Sequence, residues 1–141
     1  MKQKISLLLM VLLMTSLSYA QSTDQNYIVT RTYNYNTTNG TDSLTTVQYF
    51  DGLGRPVQTV QRGITPAGKD LVSYTEYDAV GREYRQWLPV TAESGNNGAY
   101  VNLAVFTANA GTQYGTNEKP YSETILESSP LNRVLGVKNP G

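Results

Sequence analysis

The 141-residue sequence predicts an all-β fold of antiparallel hairpins with one short helix. Three observations carry that reading. Short runs dense in β-branched and aromatic residues would alternate their side chains between the two faces of an extended chain. Gly, Asn and Asp interrupt those runs at hairpin-like intervals. An aromatic-Asp-x-x-Gly-Arg pattern, Phe50-Asp51-Gly52-Leu53-Gly54-Arg55, recurs 27 positions later as Tyr77-Asp78-Ala79-Val80-Gly81-Arg82.

The first 20 residues stand apart from this pattern. Lys2 and Lys4 precede an apolar run from Ile5 to Met14, and Ser18-Tyr19-Ala20 closes the segment with a small-x-small ending. That layout is a secretory signal peptide, with cleavage expected between Ala20 and Gln21. The apolar run is too short to span a bilayer, which takes ~20 residues. With no cysteine present, a lipid anchor on Cys is ruled out. The expected organisation is therefore a signal peptide at 1–20, a polar lead at 21–26 and one β-rich domain at 27–141, exported to the periplasm, the cell surface or the medium, with no membrane span after signal removal.

The elements of that domain follow in order. Tyr27, Val29 and Arg31 fall on one side of a first strand, with Ile28, Thr30 and Thr32 on the other. Asn39-Gly40 is a strong short-range hairpin signal and turns the chain into a second strand, Ser43 to Phe50. Asp51 and Gly54 then fit the first and fourth positions of a tight turn, because Asp accepts from the backbone N–H two residues on and Gly reaches positive φ freely. A strand led by Arg55 returns, with Val57 and Thr59 alternating against Gln58 and Val60. Pro66 and Gly68 make the next connection. Leu71, Ser73, Thr75 and Tyr77 oppose Val72, Tyr74 and Glu76 in a fourth strand, the turn recurs at Asp78 to Gly81, and the segment from Arg82 to Val90 returns. A loop spans Thr91 to Gly98. The segment from Tyr100 to Gly115 reads in two ways, as a short helix capped by Asn102 and running to Ala110 with Gly111 as its stop, or as a further strand, and the helix is the preferred reading. Another strand from Lys119 leads to a degenerate third turn, Ser129-Pro130-Leu131-Asn132 before Arg133, in which Ser replaces the bonding Asp and Asn the positive-φ Gly.

Composition excludes several chemistries. With neither His nor Cys in the chain, Ser-His and Cys-His nucleophile pairs, His-held zinc and Cys-held clusters are unavailable. Signal removal takes away two of eleven basic residues and leaves nine against eleven acidic, a net charge of −2. Nucleic acid is therefore not an expected partner. Asp51 and Asp78 could be imagined as a glycosidase pair, but each already has a task within its own turn. Arg55 and Arg82 are expected to pair locally or to lie over aromatic rings. Of the eleven tyrosines, Tyr33, Tyr35, Tyr49 and Tyr77 sit in strand patterns, while Tyr100 and Trp87 are candidates for a sugar-stacking platform. No catalytic residue, cofactor or metal ligand is expected.

The recurring motif resembles the YD repeats of the Rhs family, whose core reads aromatic-Asp-x-x-Gly-Arg. Phe50, Asp51, Gly54 and Arg55 carry the first copy, Tyr77, Asp78, Gly81 and Arg82 the second, and Asn132 and Arg133 the remnant of a third. The wider run from Gln48 to Pro140 resembles the uncharacterised domain that precedes Rhs repeats in secreted proteins of Gram-negative bacteria. The resemblance implies a non-catalytic segment at the head of a β-shell, which in that family encloses a variable C-terminal domain, often a toxin. Its expected partners are downstream repeats or other protein surfaces; the rival expectation is a carbohydrate-binding or adhesive module that uses exposed tyrosines to hold glycans. So few repeats cannot close a shell, so the domain is expected to be incomplete at its C-terminus and marginally stable or self-associating alone.

Overall fold

A computed structural model describes residues 24–34, 42–129 and 131–141. The chain forms one open, antiparallel, eight-stranded sheet with a single helix among the described residues. Strands β1 (Asn26–Asn34), β2 (Asp42–Phe50), β3 (Pro56–Gln61), β4 (Leu71–Tyr77), β5 (Glu83–Trp87), β7 (Tyr121–Leu126) and β8 (Val134–Lys138) lie side by side in that order. The two-residue β6 (Val90–Thr91) pairs with the beginning of β4, off the main path. The turn expected at Asn39-Gly40 and the cleavage site at Ala20 and Gln21 fall outside the described residues, as does Tyr35. β1 and β2 nevertheless pair without interruption from Asn26 with Phe50 to Asn34 with Asp42.

The segment expected to return as one strand from Arg82 to Val90 is split. Pro89 has no N–H to give a ladder, and around it the chain changes neighbours: β5 pairs with Thr75 to Tyr77, whereas β6 pairs with Leu71 and Val72.

Alternation decides which face of the sheet is covered. Val47 and Tyr49 of β2, Gln58 and Val60 of β3, and Val72 and Tyr74 of β4 project to one side, where they are buried under the helix α1 (Leu103–Tyr114) and the loop before it. Phe106 of α1 is 1% exposed and meets the rings of Tyr74 at 5.3 Å and Trp87 at 5.6 Å. Asn102 caps the helix, its side-chain oxygen accepting from the Val105 N–H at 2.9 Å, which satisfies one of the donors a helix start leaves open. The expected stop at Gly111 is wrong: α1 runs one turn further, to Tyr114, and ends at Gly115. The cause is tertiary, because the Tyr114 hydroxyl donates to the Pro89 carbonyl at 2.6 Å and the Gln113 side chain bonds both Pro89 and Thr91.

The loop before the helix is pinned by polar groups that have no periodic signature. Gln58, 2% exposed, spends its amide on both backbone groups of Val101, at 2.7 and 2.9 Å. The Tyr49 hydroxyl donates to the Gly98 carbonyl at 2.6 Å, and the Tyr74 and Tyr100 hydroxyls are 2.6 Å apart. Burial, then the Tyr100 hydroxyl, pushes the Tyr74 phenol well above its ordinary value. Asp70 joins two loops, its carboxylate accepting from the N–H groups of Gly63 and Gly98 and from Asn96. Gly98 is required here: φ is +82°, and a Cβ would stand 2.9 Å from Cδ of Arg62 and 3.1 Å from the Val47 side chain.

Candidate functional site: a row of carboxylate-arginine turns

The hairpins β2–β3, β4–β5 and β7–β8 all turn at the same end of the sheet, so their connections lie in a row. In the first, Oδ1 of Asp51 accepts from the N–H groups of Leu53 and Arg55, both at 2.9 Å, while Oδ2 takes the Arg55 guanidinium at 2.6–2.7 Å. Gly54, at φ +78°, donates to the Asp51 carbonyl at 3.0 Å. The second turn repeats this bond for bond: Asp78 accepts from Val80, from the Arg82 backbone and from the Arg82 side chain at 3.0, 2.9 and 2.7 Å, and Gly81 stands at φ +85°. The aromatic residues Phe50 and Tyr77 each end their strand at an irregularity in the register, opposite Pro56 and Glu83.

These bonds fix the charge state of both acids. The backbone N–H of the following Arg, with its guanidinium, holds Asp51 and Asp78 below the usual carboxylate range by stabilising the ionised form. Both oxygens of each carboxylate are spoken for within the turn, which is the geometry of a structural clasp and leaves neither acid poised to give up a proton. Among the described residues, no group of three or more acids stands where it could hold a metal ion.

The third turn differs from the sequence-based expectation. Ser129 does bond the N–H two residues on, at 3.2 Å to Leu131, and Asn132 does occupy positive φ, at 54°. The carboxylate, however, comes from Glu127, which was not among the expected site residues. Its N–H donates to the Arg133 carbonyl at 3.0 Å, the bond that Asp51 and Asp78 make with Arg55 and Arg82, and its oxygens take the Arg133 guanidinium at 3.2 Å. Leu126 accordingly stands where Phe50 and Tyr77 stand, again at a register irregularity, opposite Val134. The loop is two residues longer, and the extra methylene of Glu lets its carboxylate span the gap. The signal available in the sequence was an acid directly after a strand, with Arg where the returning strand begins.

Successive turns are joined as well as alike. The Arg55 guanidinium lies 4.5 Å over the ring of Tyr77, whose hydroxyl donates back to the Pro56 carbonyl at 2.9 Å. A Cβ on Gly81 would come within 2.5 Å of the same guanidinium, so a side chain there would push the Arg55 head group aside, while φ +85° is what calls for glycine. Arg82 reaches forward in turn, donating to the Glu127 carbonyl at 3.0 Å and to the Asn132 side chain at 3.4 Å. Each of these arginines thus closes its own turn and touches the next.

The rings expected as an aromatic platform, Trp87 and Tyr100, are partly buried and pack against the core. Trp87 packs on Phe106 and, at 4.7 Å, on Tyr121, and donates to Glu76 at 2.6 Å; Tyr100 packs edge-on to Tyr49 at 5.3 Å. The more exposed rings are on β1, where Tyr27 is 40% and Tyr33 48% exposed.

Residues 21–141 match a family described as a domain of unknown function, DUF6443. No curated protein and no solved structure matches the chain.

Proposed function

For a chain that belongs to the DUF6443 family over residues 21–141, we propose a structural role: a non-catalytic leading segment of an exported Rhs/YD-repeat protein, extended sideways by further hairpins into a β-shell. The single observation that carries this reading is the row of turns, in which Arg55 and Arg82 each clasp their own acid and contact the following turn. Such a unit propagates by adding neighbours, as repeat architectures do. Support also comes from β8, which has no strand on its outer side among the described residues and carries Val134, Leu135 and Val137 exposed. Export rests on the basic-apolar-small pattern ending at Ala20, directly before the family match begins.

Two measurements test the proposal. Intact mass of the extracytoplasmic protein should correspond to a chain beginning at Gln21. Sedimentation and thermal unfolding of that mature chain should show self-association or a broad, low-temperature transition. A monomer with one sharp cooperative transition would overturn the shell-segment reading. A second reading, a surface module that holds glycans, is favoured by the exposed tyrosines of β1.

A further inference from the structure

One cross-strand row carries two arginines that have no ion-pair partner among the described residues. Arg31 of β1 is paired in register with Thr45 of β2, and the Arg62 N–H donates to the Thr45 carbonyl at 2.9 Å on the other side. Antiparallel strands are spaced about 4.8 Å apart, so the two backbones stand roughly 10 Å apart with both side chains on the helix-bearing face. Arg55, Arg82, Arg85 and Arg133 are all ion-paired with acids. Arg31 and Arg62, among the described residues, form neither an ion pair nor a side-chain hydrogen bond.

Arg62 is also held in place. Its aliphatic stem passes close to Gly98, where a Cβ would stand 2.9 Å from Cδ of Arg62. Arg62 lines a polar cleft of about 320 Å³ whose walls include Ser43, Thr45 and Asn97, a size within the range of small-ligand sites. Asp70 lines the same cleft, but its oxygens are committed to Gly63, Gly98 and Asn96. Tyr33, two residues from Arg31 on the same strand face, offers a half-exposed ring next to Ser43.

From this juxtaposition we propose that the Arg31–Thr45–Arg62 row and its cleft bind an acidic saccharide, the two guanidiniums taking a uronate carboxylate, Ser43 and Asn97 the ring hydroxyls, and Tyr33 the face of an adjoining sugar. The planar donor fork of Arg matches a carboxylate bidentately, and aromatic rings present an apolar body with a polar tip to such ligands. The proposal deepens the glycan-binding reading and is independent of the shell-segment one.

The test is calorimetric titration of the full chain with trigalacturonate, with a neutral galactose trisaccharide and inorganic phosphate as parallel probes. Trigalacturonate should bind, the neutral sugar at least about tenfold more weakly, and Arg31→Gln or Arg62→Gln should each weaken trigalacturonate about tenfold or more. Arg31 is on an exposed edge strand, so Arg31→Gln remains informative if Arg62→Gln disturbs the loop at Gly98. Equal binding of both sugars, unaffected by either substitution, would overturn the arginine site and leave the glycan reading standing. Binding of neither sugar would overturn both. Displacement of trigalacturonate by equimolar phosphate would reduce the site to a plain oxyanion cleft and overturn the saccharide assignment.

Discussion

Under α1 and the loop before it, Val47, Tyr49, Val60 and Val72 are at most 1% exposed, while along β8 Val134, Leu135 and Val137 are 57–68% exposed. Both sets belong to antiparallel strands of one sheet. In the covered half, apolar side chains meet a second layer, and removal of surface from water holds the strands in place. Beyond the helix there is no such layer among the described residues, and polar bonds do more of the holding: Arg85 pairs with Glu123 at 2.9 Å and lies 4.6 Å over Tyr121, Lys138 reaches Glu123, and Arg133 closes its turn on Glu127. The same sheet geometry can therefore be stabilised by burial at one place and by turn chemistry at another. The two should respond differently to perturbation.

The largest expected effect is in the covered half. Phe106→Ala empties the space between Tyr74 and Trp87 and should cost about 3–5 kcal/mol in urea unfolding; a loss under about 1 kcal/mol would show that the helix is not what holds β2 to β4. Next comes the junction between turns. Gly81→Val forces a β-branched residue to φ +85° and pushes on the Arg55 guanidinium, whereas Gly54→Val, at φ +78°, meets open space. Each should cost about 1–3 kcal/mol for its backbone conformation, with the greater loss at 81. Equal losses would remove the argument that neighbouring turns are coupled.

Acid should separate the turns from the core without mutation. Asp51 and Asp78 have carboxyls held low by the N–H and guanidinium of the next Arg, and Glu127 by the Ser129 hydroxyl and then Arg133. A depressed folded-state value contributes stability above the unfolded value, near 3.8 for Asp, that is lost as pH falls through the folded one. Below that window, backbone resonances of the three turns should shift and broaden while those of Val47, Val60 and Val72 hold. Simultaneous loss of both sets would mean that the turns and the core form a single cooperative unit. The smallest effect is expected at the edge: Val137→Ala, on a half-exposed side chain, should stay within about 0.5 kcal/mol, and a larger loss would mean that β8 is covered in solution.

What the sequence determined by itself is whatever closes within a few residues. Asp51 finds its acceptor geometry in the N–H groups of Leu53 and Arg55, Gly54 and Gly81 supply positive φ, and Asn102 caps the residue three positions on. These bonds belong to local backbone conformation, so the identity of the residue announces them. The alternation of β2 to β4 was equally legible, because a period of two follows from the strand itself. Tertiary structure decided everything whose partner is far along the chain: that Gln58 would be buried on Val101, that α1 would outrun Gly111 because Tyr114 reaches Pro89, and that the strand after Arg82 would break in two. Arg31 and Arg62 are the clearest case. They lie 31 residues apart in sequence and become neighbours only when β1 and β3 flank Thr45, since cross-strand proximity is set by register, and register is set by which face the fold chooses to bury.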